Sequence, residues 1–334
     1  MSRLRLLLLL GATVVVALLG GCGGGSETSS EVSEKQNVTL EDLHLNLDWD
    51  PGPEDVGPLL ADQLGYFRDA RIRAEINSPI LPERPTKYTD EKLVDAAIVQ
   101  EPQVVLAREE GRPIVIFGAL VPTANLAIIW PSKSGIESIA DLKGKTIAYP
   151  GVPFQKDFLE YVLAGAGLTL ADVKLDDVGY DLVPALASGR ADAIFGGSAN
   201  EEGTFLEARG LDPVVTEVTK LGVPGYDELV LIARRDRYTE NPKLFQRLLD
   251  ASIRGNEAAT EDTESATETI VSENAEEGAV KVAKPAQAGV EATAPLLSEN
   301  GEIDRARLKR LVDWMYEEGM IERRWSVSQL VAGP

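Results

Sequence analysis

Acidic side chains surround a tryptophan near the start of the chain. Trp49 is flanked on both sides by carboxylates, and two more follow a Pro-Gly-Pro turn; these are Asp48, Asp50, Glu54 and Asp55. An indole face can stack on a flat ring, and carboxyl groups can accept hydrogen bonds from ring amines. The stretch predicts a binding site for a small, neutral or cationic flat molecule. The alternative is that Trp49 packs in a core and the carboxylates face solvent at a helix N-terminus.

Residues that carry most enzyme chemistry are scarce in these 334 residues. His44 is the single histidine and Cys22 the single cysteine. The alternation around His44 predicts a surface or edge position, and Cys22 lies in the apolar N-terminal segment, so a Ser-His-Asp triad, a Cys-His pair and a histidine zinc site are not expected. Phosphate-loop and dinucleotide-binding glycine motifs are absent from the sequence. A hydrolase that uses carboxylates alone stays open, but we expect a binding protein that is not an enzyme and has no metal and no cofactor.

A strand, a sharp loop and a helix must position Trp49. Apolar and polar residues alternate from Leu43 to Asp50, which predicts a strand. Pro51-Gly52-Pro53 ends it, because proline cannot donate to a strand ladder. Ligands of open α/β sheets bind past the carboxyl ends of strands, so this loop is expected to line a crevice.

The first 37 residues are predicted to lie outside the fold. Residues 1–22 have a positive start and an apolar run that ends at Leu19-Gly20-Gly21-Cys22, as in a signal peptide. This ending resembles a bacterial lipobox, which implies lipidation of Cys22. Residues 23–37 are rich in Gly, Ser, Thr and Glu and predict a flexible tether. We expect an exported protein held by its lipid on the outer face of the cytoplasmic membrane.

Charge and length restrict the remaining chain. The sequence has 54 acidic and 33 basic residues and a net charge of −21. No basic stripe is available to bind nucleic acid, and acidity of this size keeps an exported protein soluble. About 295 residues suffice for two α/β lobes with separate cores.

Strand and helix patterns alternate through most of the chain and predict parallel βαβ units. We predict lobe 1 at 38–122 plus 226–334 and lobe 2 at 123–225, with two crossovers that form a hinged cleft. Helices are predicted for 154–166, 241–275, 283–298 and 304–318.

Several stretches resemble a known family. They are Leu47-Asp48-Trp49 with Pro51 and Gly65-Tyr66-Phe67, Asp95-Ala96-Ala97-Ile98 with Gln100-Glu101-Pro102, Asp141-Leu142-Lys143-Gly144-Lys145 with Tyr149-Pro150-Gly151, Gly196-Gly197 with Asn200 and Glu202, and Val223-Pro224 with Tyr226 and Glu228. Over about residues 43–235 the chain is similar to substrate-binding proteins for thiamine pyrimidine precursors, within the wider nitrate/sulfonate/bicarbonate and thiamine-biosynthesis-like superfamily.

The resemblance implies a two-lobed periplasmic-binding-protein fold of type II and an ABC importer of permease and ATPase as partner. The protein would be monomeric and would bind a small ligand between its lobes. Trp49 would stack on the ligand ring, while Asp48, Asn200, Glu202 and Tyr226 would form hydrogen bonds with it. The full predicted ligand-binding set is Asp48, Trp49, Asp50, Gln100, Glu101, Asn125, Gly151, Asn200, Glu202, Tyr226 and Glu228.

Departures from the family pattern leave the ligand open. Gln100 replaces an aromatic residue of the second loop, and Ser198-Ala199 replaces an aromatic pair after the double glycine. A thiamine pyrimidine precursor is expected first, and a flavin, a sulfonate such as taurine, or nitrate are the alternatives. A pyrimidine-synthesising enzyme or a sensor lipoprotein of the same fold are less favoured, the enzyme because its cleft histidine and cysteine-rich segment are absent.

Overall fold

The computed structural model describes residues 39–333, apart from the side chains of residues 275–282. The predicted signal peptide, Cys22 and the tether lie outside the described residues. Residues 39–334 group into one unit. Between residues 39 and 333, no helix is both long and apolar enough to cross a membrane.

Ten strands form two five-stranded sheets. In chain order they are β1 (Glu41–Asn46), β2 (Ile72–Asn77), β3 (Ala96–Val99), β4 (Ile114–Val121), β5 (Ala127–Pro131), β6 (Thr146–Tyr149), β7 (Lys174–Asp177), β8 (Ala193–Gly197), β9 (Pro213–Glu217) and β10 (Leu229–Arg234). The first sheet has the order β2-β1-β3-β10-β4 and the second β7-β6-β8-β5-β9. Each sheet falls within one predicted lobe, while the residue bounds of the lobes stay a prediction.

The chain crosses between the sheets twice, after β4 and before β10. In the first sheet, β1 pairs in parallel with β2 and β3, whereas β10 runs antiparallel to β3 and β4. In the second, β5 runs antiparallel to β8 and β9. The predicted parallel units are present in β1–β3 and β6–β8. The strand that enters each sheet after a crossover, β5 or β10, is antiparallel to its neighbours because it comes from the opposite lobe.

Helices cover the sheet faces. They are α1 (Val56–Gln63), α2 (Tyr66–Asp69), α3 (Pro85–Asp90), α4 (Glu101–Glu109), α5 (Pro153–Gly165), α6 (Leu182–Ala187), α7 (Thr204–Ala208), α8 (Arg235–Glu240), α9 (Pro242–Glu261), α10 (Thr263–Glu273), α11 (Ala275–Thr293), α12 (Arg305–Glu317) and α13 (Val327–Leu330). Two short turns also matter for the site: the 3₁₀ turn Pro53–Asp55 and the π-helical turn Ala199–Gly203.

Three predicted elements differ in their bounds. The helix predicted for 241–275 is two helices, because Asp262 breaks the first and caps the second by accepting a hydrogen bond from the Ser265 N–H. The helix predicted for 283–298 is α11, which spans Ala275–Thr293. The first strand ends at Asn46 rather than at Asp50. Asn46 is buried, and its side-chain amide donates a hydrogen bond to the Asn77 carbonyl at 2.8 Å. The polar residues of the alternating stretch therefore do not all face solvent.

One apolar cluster runs through both sheets. It joins Val99 and Ile116 of the first sheet to Ile128 and Ile147 of the second, and includes Leu308 of α12. Smaller clusters fill the outer face of each sheet. The shared cluster fixes the two sheets close together, so the loops at their facing edges come into contact.

Candidate functional site

A pocket lies where loops from both sheets meet, and encloses about 570 Å³ including open space at its mouth. Its lining residues are Asp48, Trp49, Glu54, Asp55, Pro82, Gln100, Gln103, Asn125, Leu126, Val152, Gln155, Gly196, Gly197, Ser198, Glu201, Glu202 and Glu228. Six of them are acidic, and the described lining contains no Lys, Arg or His.

Trp49 forms one wall of this pocket. It follows β1 of the first sheet but packs on the apolar cluster of the second sheet. Its ring meets Tyr180 edge-to-face, with centroids 4.6 Å apart and planes at 87°. The Tyr180 hydroxyl donates to the Pro79 carbonyl at 2.7 Å. Trp49 is thus a partly buried ring that is held from both lobes and presents a surface to the pocket.

The turn that carries Glu54 brings a carboxylate into contact with both lobes. Glu54 Oε1 accepts hydrogen bonds from the side-chain amides of Asn125 and Asn200, the latter at 2.8 Å. Asn200 Nδ2 also donates to the Thr293 hydroxyl of α11 at 2.7 Å. A Cβ at Gly52 would collide with the Glu201 carboxyl group, so glycine allows this turn to approach the other lobe. Glu54 is therefore the centre of an inter-lobe hydrogen-bond network.

A second network fixes Glu228, which immediately precedes β10. Its Oε2 accepts from the Asn125 and Leu126 backbone N–H groups at 2.9 and 3.3 Å, and Oε1 accepts from Gln100 Nε2 at 2.6 Å. Gln155 Nε2 of α5 donates to Gln100 Oε1 at 3.3 Å. The two glutamines therefore link the lobes opposite Glu54.

Burial raises the pKa of every acidic side chain in the lining. Desolvation is the largest cause, and neighbouring carboxylates, Glu54 above all, add to it. The pKa of Asp48 rises to about 8, and those of Glu202 and Glu228 to about 7. Asp48 and Glu201 keep part of their surface open, whereas Glu54, Asp55, Glu202 and Glu228 are buried. Despite this crowding, no group of three or more potential ligands within 39–333 is placed to hold a metal ion.

Six of the predicted ligand-binding residues line the pocket: Asp48, Trp49, Gln100, Asn125, Glu202 and Glu228. Asn200 lies behind the lining, where it holds Glu54. The alternative that Glu54 and Asp55 face solvent is wrong, since they are only 8% and 2% exposed.

The remaining four predicted residues lie elsewhere. Glu101 is fully buried in α4 and accepts from the Asp227 N–H at 3.1 Å, while Asp227 pairs with Arg307 of α12. Tyr226 is fully buried against Phe158. Asp50 lines a neighbouring groove behind Trp49. Gly151, with a φ of 79°, makes the bend before α5 outside the lining.

Six polar lining residues were absent from the predicted set: Glu54, Asp55, Gln103, Gln155, Ser198 and Glu201. The Pro-Gly-Pro turn pointed to Glu54 and Asp55, and the double glycine preceded Ser198. Gln155 was harder to identify from the sequence, because its one indication was its position at the start of the helix that follows Pro150-Gly151. These residues reach the pocket only through the docking of the two lobes.

Comparison with known proteins agrees with the resemblance. The chain is 28% identical over 290 residues to a protein of Haemophilus influenzae named as a thiamine biosynthesis protein, covering 86% of this chain and 91% of that protein. It is 31% identical over 232 residues to the formylaminopyrimidine-binding protein of Halalkalibacterium halodurans, covering 70% of each. A more distant relative, 26% identical over 241 residues, is the 4-amino-5-hydroxymethyl-2-methylpyrimidine phosphate synthase of Legionella pneumophila, covering 71% of this chain and 74% of that enzyme.

Solved structures share the architecture. The alkanesulfonate-binding protein SsuA of Xanthomonas axonopodis pv. citri superposes with a TM-score of 0.69 at 19% identity, covering 87% of this chain and 97% of that protein. A structural similarity to proteins of such low sequence identity establishes the fold alone, and this is the predicted periplasmic-binding-protein fold. The NMT1/THI5-like sequence profile matches residues 53–266, from the Glu54 turn through the second sheet and back to α10. The chain belongs to the NMT1/THI5-like family.

Proposed function

We propose that this chain is an extracytoplasmic solute-binding protein of an ABC importer, with a thiamine pyrimidine precursor as its ligand. The observation that carries the proposal is the pocket lining, which combines an exposed face of Trp49 with carboxyl and carboxamide groups and has no cationic side chain among the described lining residues. A flat ring with amino substituents fits such a lining, because the ring can stack while the amines donate to carboxyl oxygens. The name of the Halalkalibacterium relative supports the same class.

The acidity of the pocket argues against anions. A sulfonate or nitrate would enter beside Glu54, Glu202 and Glu228 without a basic side chain to offset the repulsion. The structural likeness to sulfonate-binding SsuA therefore supports the fold and not the ligand.

The transport role rests on the sequence features outside the described residues. A signal peptide over 1–22 and a lipid on Cys22 would hold the protein at the membrane, and the 23–37 tether would let it reach a permease. We propose that it acts as a monomer and delivers its ligand to a permease coupled to an ATPase.

A binding role rather than an enzymatic one is supported by the position of the histidine. His44 lies on β1, half exposed, 3.4 Å from Glu75 and outside the pocket lining. Cys22 precedes the predicted tether. A synthase that draws on histidine or cysteine chemistry in the cleft would lack both groups here, although one relative is named as a synthase.

A thermal-shift screen tests the ligand class. The full chain would be heated with 4-amino-5-hydroxymethyl-2-methylpyrimidine, N-formylaminopyrimidine, riboflavin, taurine and nitrate. A ligand at a hundred times its dissociation constant adds about 2.7 kcal/mol to the free energy of unfolding, so we expect the aminopyrimidines to raise Tm and the anions not to. A shift with taurine or nitrate alone would overturn the proposal.

A further inference from the structure

Glu54, like Glu228, is an acidic group of the pocket that accepts several N–H hydrogen bonds. Two carboxamide N–H groups, from Asn125 and Asn200, converge on its Oε1. These donors lower the pKa of Glu54 and oppose the burial that raises it. No neighbouring carboxylate contributes to its shift. Burial still raises the pKa of Glu54, while the two donors favour its charged form.

The surrounding carboxyl groups come from three segments, and α11, which also packs against the Glu54 turn, adds the neutral hydroxyl of Thr293. Asp48 and Asp55 belong to its own loop and turn, Glu228 to the returning crossover, and Glu201 and Glu202 to the π-helical turn of the other lobe. The charge of Glu54 raises the pKa of each of the five. Burial is the larger cause of these shifts, and a negative charge on Glu54 adds to each of them.

Two further groups face the cluster from behind the lining. Tyr226 lies beside Glu228, and both Glu228 and Glu54 raise its pKa. Glu101 of α4 also contributes, but it is linked to Asp227, whose charge is met by Arg307. The described basic groups are therefore engaged behind the pocket or outside it, and the charge of Glu54 has no cationic partner in the lining.

Unpartnered polar atoms show that the lining is built for a ligand. Ser198 is 6% exposed and its hydroxyl has no hydrogen-bond partner among the described residues. Gln155 is 1% exposed and its Oε1 is likewise unpartnered. Both residues line the pocket. A buried polar atom left without a partner destabilises the fold, so a ligand that hydrogen-bonds to these atoms recovers that cost.

We propose that the pocket binds its ligand as a monocation, a weakly basic heteroaromatic ring protonated on a ring nitrogen, with Glu54 as the counter-ion. This deepens the proposed function, on which it rests, by specifying the charge state of the bound ring. A ring that is already protonated in solution enters as the cation. A neutral ring gains its proton either from one of the surrounding carboxylic acids, which then becomes a carboxylate, or from a hydronium ion of the solvent, which is left as water. In both cases the bound ring carries the N–H bond and one positive charge.

Nuclear magnetic resonance of a nitrogen-15-labelled ring tests the charge state directly. The full chain would be mixed with ring-labelled 4-amino-5-hydroxymethyl-2-methylpyrimidine one pH unit above the pKa of the free ring. We expect the bound ring nitrogen to show the chemical shift of the protonated form, although most of the free ligand is neutral. A bound ring with the shift of the neutral form would overturn the inference and leave the proposed function intact. Failure of the ring to bind at all would overturn both.

A charge-removing variant gives a second readout. Glu54→Gln keeps the size of the side chain but removes its charge, and should weaken binding of the aminopyrimidine about 100-fold. Binding of the non-basic 4-oxo analogue should change much less. Glu137→Gln, an exposed residue outside the pocket, is the matched control and should bind as the parent does. Equal losses for both rings in Glu54→Gln would show that Glu54 is not a counter-ion. The resonance experiment on the unaltered chain decides the question even if this variant fails to fold.

Discussion

At the scale of single residues, Trp49 is the side chain with the clearest dual role. It packs on the core of the second sheet and is braced by Tyr180, yet it lines the pocket. The two interpretations of the sequence, a core aromatic and a ligand-stacking ring, are therefore compatible. Bracing reduces the conformational freedom that the indole would lose on binding, which favours a stacking role.

Removal of the indole should weaken ligand binding more than it changes the fold. We expect Trp49→Ala to reduce aminopyrimidine affinity about tenfold, since an aromatic contact contributes about 0.5–1.5 kcal/mol beyond area burial. Isothermal titration calorimetry measures this loss. Trp314→Phe on α12, outside the lining, is the control and should leave affinity unchanged. Unaltered binding in Trp49→Ala would assign the ring to packing alone.

At the scale of elements, α11 joins the C-terminal helices to the second lobe. Thr293 accepts a hydrogen bond from Asn200, and Gly289 brings the helix against the π-helical turn. A Cβ on Gly289 would lie 2.8 Å from the Asn200 carbonyl oxygen and 2.7 Å from Pro53 Cγ. Close contact at this point places α11 behind both Glu54 and Asn200.

Substitution of Gly289 should therefore separate these elements. We expect Gly289→Ala to lower the free energy of unfolding by about 1–3 kcal/mol, as overpacking does elsewhere, and to weaken ligand binding through displacement of Asn200. Gly165→Ala is the matched control, because a Cβ there meets no atom within 4 Å. Denaturant unfolding of the two variants provides the comparison. If both behave alike, the close approach of α11 has no energetic consequence.

At the scale of the whole molecule, the pocket concentrates acidic groups whose protonation is coupled to folding. The pKa values of Glu202 and Glu228 rise from 4.5 to about 7, and that of Asp48 from 3.8 to about 8. At a pH between the unfolded-state and folded-state pKa values of these groups, the folded chain binds more protons than the unfolded chain. The free energy of unfolding therefore falls as pH rises from about 4 to 8 on account of these groups.

Thermal unfolding of the ligand-free chain should show this sign. We expect the protein to be more stable at pH 5.5 than at pH 8, by about 2 kcal/mol, which corresponds to several degrees in Tm. The surface carboxylates Asp141, Asp172 and Asp304 have lowered pKa values and stay ionised throughout this window. Glu228→Gln should flatten the dependence. A Tm that rises with pH would contradict burial of these groups as carboxylic acids.

Local patterns in the sequence determined much of this molecule. The alternation and the Pro-Gly-Pro turn around Trp49, the βαβ rhythm and the single His and Cys indicated a two-lobed binding protein with an acidic site after the first strand. These features depend on near neighbours along the chain, such as proline's missing N–H or glycine's tolerance of a bend, so they can be inferred before the fold is known.

Only the tertiary structure decided which residues share the pocket. Gln155 and Glu201 face Glu54 because the two sheets share an apolar cluster and dock their loops together. Glu101, adjacent to the lining residue Gln100, instead turns inward toward Asp227. Whether a carboxyl group is ionised likewise depends on how many amides and carboxylates the docking brings to it, as Glu54 and Glu228 illustrate. Contacts between residues far apart in the chain leave no periodic signal in the sequence, and desolvation arises only when the lobes come together.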